Sequence, residues 1–220
     1  MSAPKEYRGG ITREQWLAAE TRTVARLRTD EGIADADELI ARVTGENLFR
    51  YPTERELKSI TRACNRRLNA LLEQSDAVNP ATAAQTHAAL LQLIAHGTQE
   101  QLCQTNLYAM ARDNRIVWDF LAGVVAGKLN RLDYSLARRE IASYVDGLGT
   151  QSDKAAGWSD ATRNKIRQVL TACLEQAGMY SRKTEELHPP LLDLELESLI
   201  RNNNDEALLP AFGLKNPESW

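Results

Sequence analysis

Glycine and proline are scarce, 12 and 7 in 220 residues, and no segment sustains an apolar–polar alternation. A fold built on sheets and tight turns is therefore excluded. Ala, Leu, Arg, Glu and Gln dominate, a mixture that favours helix by intrinsic propensity. Long apolar runs are missing too. The longest uncharged one, "FLAGVVAG", is far shorter than the ~20 residues a membrane span needs. The opening "MSAPKEYRGG" has no apolar signal-peptide core. These absences predict a cytoplasmic protein with no membrane partner.

The residues of common active sites are equally sparse. Cys64, Cys103 and Cys173 are far apart, each inside an apolar-periodic stretch, and none forms a CxxC pair. They read as buried thiols in a reducing compartment rather than metal ligands or disulfides. His87, His96 and His188 are isolated, with no nucleophile or orienting group beside them in the chain. The phosphate loop GxxxxGK[ST], a GxGxxG turn, HExxH and GxSxG do not occur. The sequence thus nominates no catalytic residue, no metal ligand and no cofactor, and predicts a protein that is not an enzyme. Asp193, Glu195 and Glu197 alternate with leucines in a pattern that suits a solvated amphipathic edge better than a cation site.

Net positive charge is absent as well: 27 bases stand against 30 acids, a formal −3. The distribution is uneven. Asp30 to Glu46 holds six acids and one base, and Glu185 to Glu206 seven acids and one base. Arg50 to Arg67 holds six bases and two acids, and Asp160 to Lys183 five bases and two acids. A polyanion meets the local field, so a mildly acidic chain can still present cationic faces.

Helix starts are legible. "TREQ" from Thr12 has the capping-box form and predicts a helix of about four turns stopped near Gly32. Asp35 can cap a short helix, and Pro52 breaks the chain before a second capping box, Thr53 with Glu56. Asn79 with Pro80, and Thr98 with Gln101, open two more helices. An apolar helix is predicted over 113–132, and another from about Ser135 to the Gly147–Gly149 pair. "MYS" and "EELH" are the two strand candidates, a small wing after the last basic helix. The fold class is all-α: a multi-helix fold with two helix-turn-helix-like elements. The softest boundary, 73–80, divides 1–75 from 76–220, which are read together as one unit.

Two helices, 54–72 and 159–177, carry the positive charge. On a wheel of ~100° per residue, Arg55, Lys58, Arg62, Arg66 and Asn69 share a face opposite Leu57, Ile60, Cys64, Leu68 and Leu71, with Arg67 at the flank. In the second, Arg163, Asn164, Arg167, Gln168 and Thr171 point away from Ile166, Val169, Leu170, Cys173 and Leu174, with Lys165 at the margin. Neither cationic set is expected to be needed for packing. Arg138 and Arg139, with Lys128 and Arg131 nearby, extend the candidate positive surface. Each basic helix follows another helix and a break, the layout of a helix-turn-helix reader of double-stranded DNA. Arg can pair with guanine, and Asn or Gln with adenine. The plainer alternatives are solvated surface charge, a protein adaptor for acidic partners, or an RNA binder. Two reading helices on one chain suggest a monomer.

The order of several stretches resembles a known family. "GGIT…ETRTVARL", "PTERELKSITRACNRRLNAL", "WDFLAGVVAGKL" and "WSDATRNKIRQVLTACLEQAGM" follow one another as in the BrxA family of bacteriophage exclusion (BREX) defence systems. The resemblance spans nearly the whole chain, although no one motif is diagnostic. It implies an all-α protein with similarity to antitermination-factor folds of the NusB type. It also implies double-stranded DNA binding, other BREX proteins as partners, and an accessory rather than catalytic role. It carries no catalytic residues to this chain. Some members have been labelled inner-membrane proteins, a label this sequence does not support with any span.

Overall fold

The computed structural model describes residues 6–73 and 80–214. Helices dominate them. In chain order they are α1 (Ile11–Glu14), α2 (Ala18–Asp30), α3 (Ala36–Glu46), α4 (Glu54–Ala70), α5 (Pro80–His96), α6 (Gln99–Asp113) and α7 (Arg115–Asp119). A π-helical segment, Phe120–Val125, runs on into α8 (Ala126–Asn130). Then come α9 (Arg138–Gly147), α10 (Asp153–Ala156) and α11 (Asp160–Gln176). The hairpin β1 (Tyr180–Ser181) and β2 (Glu186–Leu187) precedes α12 (Leu194–Asn202) and a 3-10 turn, Glu206–Phe212. The all-α class is correct, and the short hairpin stands where the two strand candidates were read.

The helix ends follow from local chemistry. Asp35 accepts hydrogen bonds from the backbone N–H of Asp37 and Glu38, which caps α3. Thr53 and Ser159 accept from the N–H three residues on, at Glu56 and Thr162, capping α4 and α11. Thr98 and Gln101 make both bonds of a capping box on α6. Gly97, between α5 and α6, must be glycine: a Cβ there would sit 2.4 Å from the Leu93 carbonyl oxygen. The Asn79 cap and most of the boundary at 73–80 lie outside the described residues.

Two predicted starts are displaced. Thr12 does not open a four-turn helix. It lies inside α1, its hydroxyl donates back to Gly9 O, and the chain breaks at Leu17 (φ 47°) before α2 begins. Nor is Ser135 helical. It pairs antiparallel with Glu186, so α9 starts three residues later. Leu136 N–H donates to Glu185 O at 2.7 Å, and Leu187 N–H to Tyr134 O at 2.6 Å. Residues 134–136 are therefore a third extended piece beside β2, which itself pairs with β1.

The buried apolar side chains form one cluster running from Tyr7 to Phe212. The segment 6–17 crosses this cluster as a strap. Tyr7 is buried, its hydroxyl 2.7 Å from both Asp119 Oδ2 and Gln151 Oε1, and the Arg115 guanidinium lies 4.5 Å over its ring. Burial and the Asp119 carboxylate push the phenol up to about 12. At the other end, Arg67 of α4 is only 2% exposed. Its guanidinium donates to the carbonyls of Trp16 (2.7 Å), Glu14 (3.0 Å) and Gln15 (3.0 Å), and to Asn106 Oδ1 at 3.2 Å.

Arg67 thus holds the carbonyls released where α1 ends, beside a left-handed leucine that costs about 1–2 kcal/mol by itself. Removing it strands the Glu14 and Gln15 carbonyls, leaves Trp16 O with Asn106 alone, and opens a cavity. Arg67→Ala is therefore expected to lower unfolding free energy by about 3–5 kcal/mol. Arg67→Lys, lacking the planar fork, is expected to recover less than half of that. Urea denaturation measures both, and a loss under about 1 kcal/mol for Arg67→Ala would refute the role.

Candidate nucleic-acid interface

The structure sorts the predicted cations by whether the fold already uses them. On α4, Arg55 and Arg62 are exposed, with no ion-pair or hydrogen-bond partner among the described residues. Lys58 pairs with Glu54 at 2.6 Å, one turn away on the surface. Arg66 is held more firmly. Its Nε and Nη2 donate to Asp113, at 3.0 and 2.9 Å, and Nη2 also donates to Glu14. The Asp113 side chain is only 7% exposed, and Arg8 reaches it as well at 3.5 Å. These carboxylates hold the Arg66 guanidinium above its ordinary pKa. The expectation that this stripe is free of packing duties therefore fails at Arg66, and Arg67 belongs to the core rather than the candidate interface.

A shallow cleft of about 170 Å³ lies alongside α4, lined by Ala36, Ile40, Thr61, Arg62, Asn65, Arg66 and Asn69. It is small beside the roughly 300 Å³ at which small-molecule sites begin. Asp37 and Glu38, exposed at the head of α3, flank the residues that form it. The second half of the α4 stripe thus has acidic neighbours.

On α11 the pattern repeats. Arg163 donates to Ala156 O (3.1 Å) and Trp158 O (3.3 Å), tying the connection 148–159 to the helix it precedes. Arg167 donates to Asp146 of α9 at 2.6 Å and to Asn164 Oδ1 at 2.8 Å. Thr171, expected to face outward, is buried, its hydroxyl donating to Arg167 O. Lys165 is half-buried and has no partner among the described residues. The exposed residues of α11 are Asp160, Ala161, Asn164, Gln168 and Gln176.

The neighbouring cations divide likewise. Arg138 pairs with Glu185 at 3.2 Å and donates to Arg182 O at 3.0 Å, so α9 and the hairpin turn are pinned together. Arg139 is exposed and unpaired among the described residues. Lys128 is only 5% exposed and sits between Asp133 (2.7 Å) and Glu140 (2.8 Å), so it adds nothing to the surface. Sequence reading missed the hairpin tip. Arg182, paired with Glu175, and Lys183, exposed and unpaired, stand beside α11 at the turn between β1 and β2. The signal was available: the two strand candidates enclose "RKT".

Burial pushes the Cys64 thiol up to about 11 and Cys173 up to about 12, which removes the thiolate at neutral pH. Among the described residues no group of three or more His, Cys, Asp or Glu could hold a metal ion. Among the same residues no helix is long and apolar enough to cross a membrane.

The two outer arginines of α4 are expected to part company in a stability measurement. Arg62→Ala should change unfolding free energy by no more than about 0.5 kcal/mol, as an unpaired surface residue. Arg66→Ala leaves Asp113 with Arg8 alone and should cost about 1–2 kcal/mol. Equal values from urea melts would show that the Arg66 pair does not stabilise the fold.

Comparison with known proteins agrees with this architecture. A crystal structure of an uncharacterized protein from Magnetospirillum magneticum superposes with a TM-score of 0.74 at 20% identity, covering 94% of this chain and 98% of that one. At that identity it establishes the fold alone. "BREX protein BrxA" of Bacillus cereus (strain H3081.97) is 25% identical over 170 residues, 76% of this chain and 78% of that protein. The family BrxA matches residues 5–204, nearly the whole chain, and the chain belongs to that family.

Proposed function

We propose that this chain is a non-enzymatic, cytoplasmic, double-stranded-DNA-binding accessory component of a BREX phage-defence system. Its α11 would serve as the reading helix and its hairpin as a wing. The family membership and the name of the Bacillus relative supply the defence setting. One observation carries the DNA reading: the order of elements from Arg115 to Leu187. The continuous helical run from α7 to α8 leads to the extended piece 134–136, then α9, a 3-10 turn with the short α10, α11, β1 and β2. The extended piece pairs with β2, and β2 with β1. This order supports reading the segment as a winged helix-turn-helix, in which the second helix of the pair would enter the major groove. The groove-facing residues would be Ala161, Asn164 and Gln168, small or amide-bearing and suited to base edges. Phosphate contacts would come from cations the fold leaves unpaired: Lys165, Arg139 and Lys183 here, and Arg55 and Arg62 on α4.

A second reading is a protein adaptor. Leu191 and Leu194 are 89% and 82% exposed, and most arginines of the basic helices are already paired within the chain. Salt-titrated binding separates the readings. Duplex DNA should bind with an affinity that falls as salt rises. Lys165→Ala with Lys183→Ala should reduce the log–log salt slope by about two, about one per lost contact. Asn164→Ala with Gln168→Ala should leave the slope unchanged and narrow the difference between two unrelated duplexes. Duplex RNA run beside them should bind more weakly. Unaltered DNA binding by both folded double variants would refute this interface, and no binding at all would leave the adaptor.

A further inference from the structure

We propose that the strap 6–17 is a third contact to the same duplex, with Arg13 touching phosphate between α4 and α11, so that one continuous piece of DNA occupies both basic helices. The inference rests on the DNA-binding reading above.

The geometry that points there is independent of the winged unit. The strap touches both basic helices. Its α1 packs on α11, and a Cβ on Gly9 would lie 3.6 Å from the Trp158 ring at the α11 entrance. Its far end meets α4, where Glu14 accepts from Arg66 and the Glu14, Gln15 and Trp16 carbonyls accept from Arg67. Ile11, 2% exposed, anchors α1 into the core between these ends. The strap is therefore fixed at both ends and in the middle, so little conformational freedom is lost when it meets a ligand.

Its charges then balance with one left over. Glu14 and Asp113 are matched by Arg66 and Arg8, and Glu6 by Lys154 at 3.1 Å. Arg13 is exposed, next to Glu14, and has no partner among the described residues. A cation held on a rigid segment between two cationic helices suits a polyanion that runs across both. Duplex DNA supplies that polyanion, with a phosphate charge about every 1.7 Å of axis. A 220-residue globule is about 45 Å across. At ~3.4 Å per base pair, a duplex of roughly 25 base pairs is long enough to span it.

The test uses the full chain, Arg13→Ala, and a 25-base-pair duplex. The variant should melt within about 2 °C of the parent. Its log–log salt slope should be smaller by about one. Between 50 and 200 mM salt the parent should thus lose about 3.5-fold more affinity than the variant. Titration should saturate at one duplex per chain. An unchanged slope for Arg13→Ala, in a protein whose binding does respond to Lys165→Ala or Arg62→Ala, overturns the strap contact and leaves the DNA-binding reading standing. Saturation at two duplexes per chain also overturns it, since each helix would then hold its own DNA. A parent protein that binds no duplex overturns both.

Discussion

The structure turns on one buried guanidinium. Arg67 enters the core from α4 and gathers three successive carbonyls at the end of α1, together with the Asn106 side chain of α6. A buried arginine is costly unless its donors are met, and here carbonyl dipoles meet most of them. Asn106 Nδ2 donates to Trp16 O as well, so α4, α6 and the strap share one junction. The strap 6–17 is held by that junction and by the Tyr7 anchor beside Asp119. The position of α4 relative to α11 is set through the same strap, because α1 packs on α11 while its end bonds to α4.

Many of the cations on the described residues are already engaged within the fold. Arg66, Arg138, Arg163 and Arg167, all read from the sequence as outward contacts, each hold another part of the molecule in place. Asp146 alone holds Arg167 and lies 3.9 Å from Arg163. A phosphate approaching α11 must compete with that carboxylate. Such exchange is nearly neutral at a surface, where an ion pair contributes about 0–1 kcal/mol. Paired arginines therefore add less to the driving force than unpaired ones, which is why the unpaired set defines the candidate interface.

How much of this was legible depended on the range of the interactions involved. Caps at Asp35, Thr53, Thr98 and Ser159 are satisfied within three residues, and the sequence displays both partners. The hairpin was visible as two short runs between polar residues. Thr12 misled because the strap's path is decided by Arg67 and Tyr7, whose partners lie 51 to 144 residues away. Arg67 itself sat at the flank of a basic stripe on the wheel. Its burial depends on backbone carbonyls, which leave no mark in a sequence. Lys128 had a local warning in Asp133, only five residues on. Ser135 joined a sheet rather than a helix because β2, fifty residues later, offered it an edge.

The acidic balance of the chain has a structural origin that does not oppose a polyanion partner. Asp37 and Glu38 lie in the first turn of α3, Glu54 and Glu56 in that of α4, and Glu195 and Glu197 in that of α12. Carboxylates there meet the positive end of the helix dipole and the free N–H groups, so they stabilise the fold. Another group of acids, Asp113, Asp119, Asp133 and Glu140, is matched to arginine, lysine or tyrosine at or near the core. Taking away acids that serve helix ends and paired acids leaves few on the faces of α4 and α11. The formal −3 thus measures how the helices are started and the core is tied, while Arg55, Arg62, Arg139, Lys165 and Lys183 remain as cations no part of the described fold requires. Cations unnecessary for folding are the ones whose charge is available to a polyanion partner.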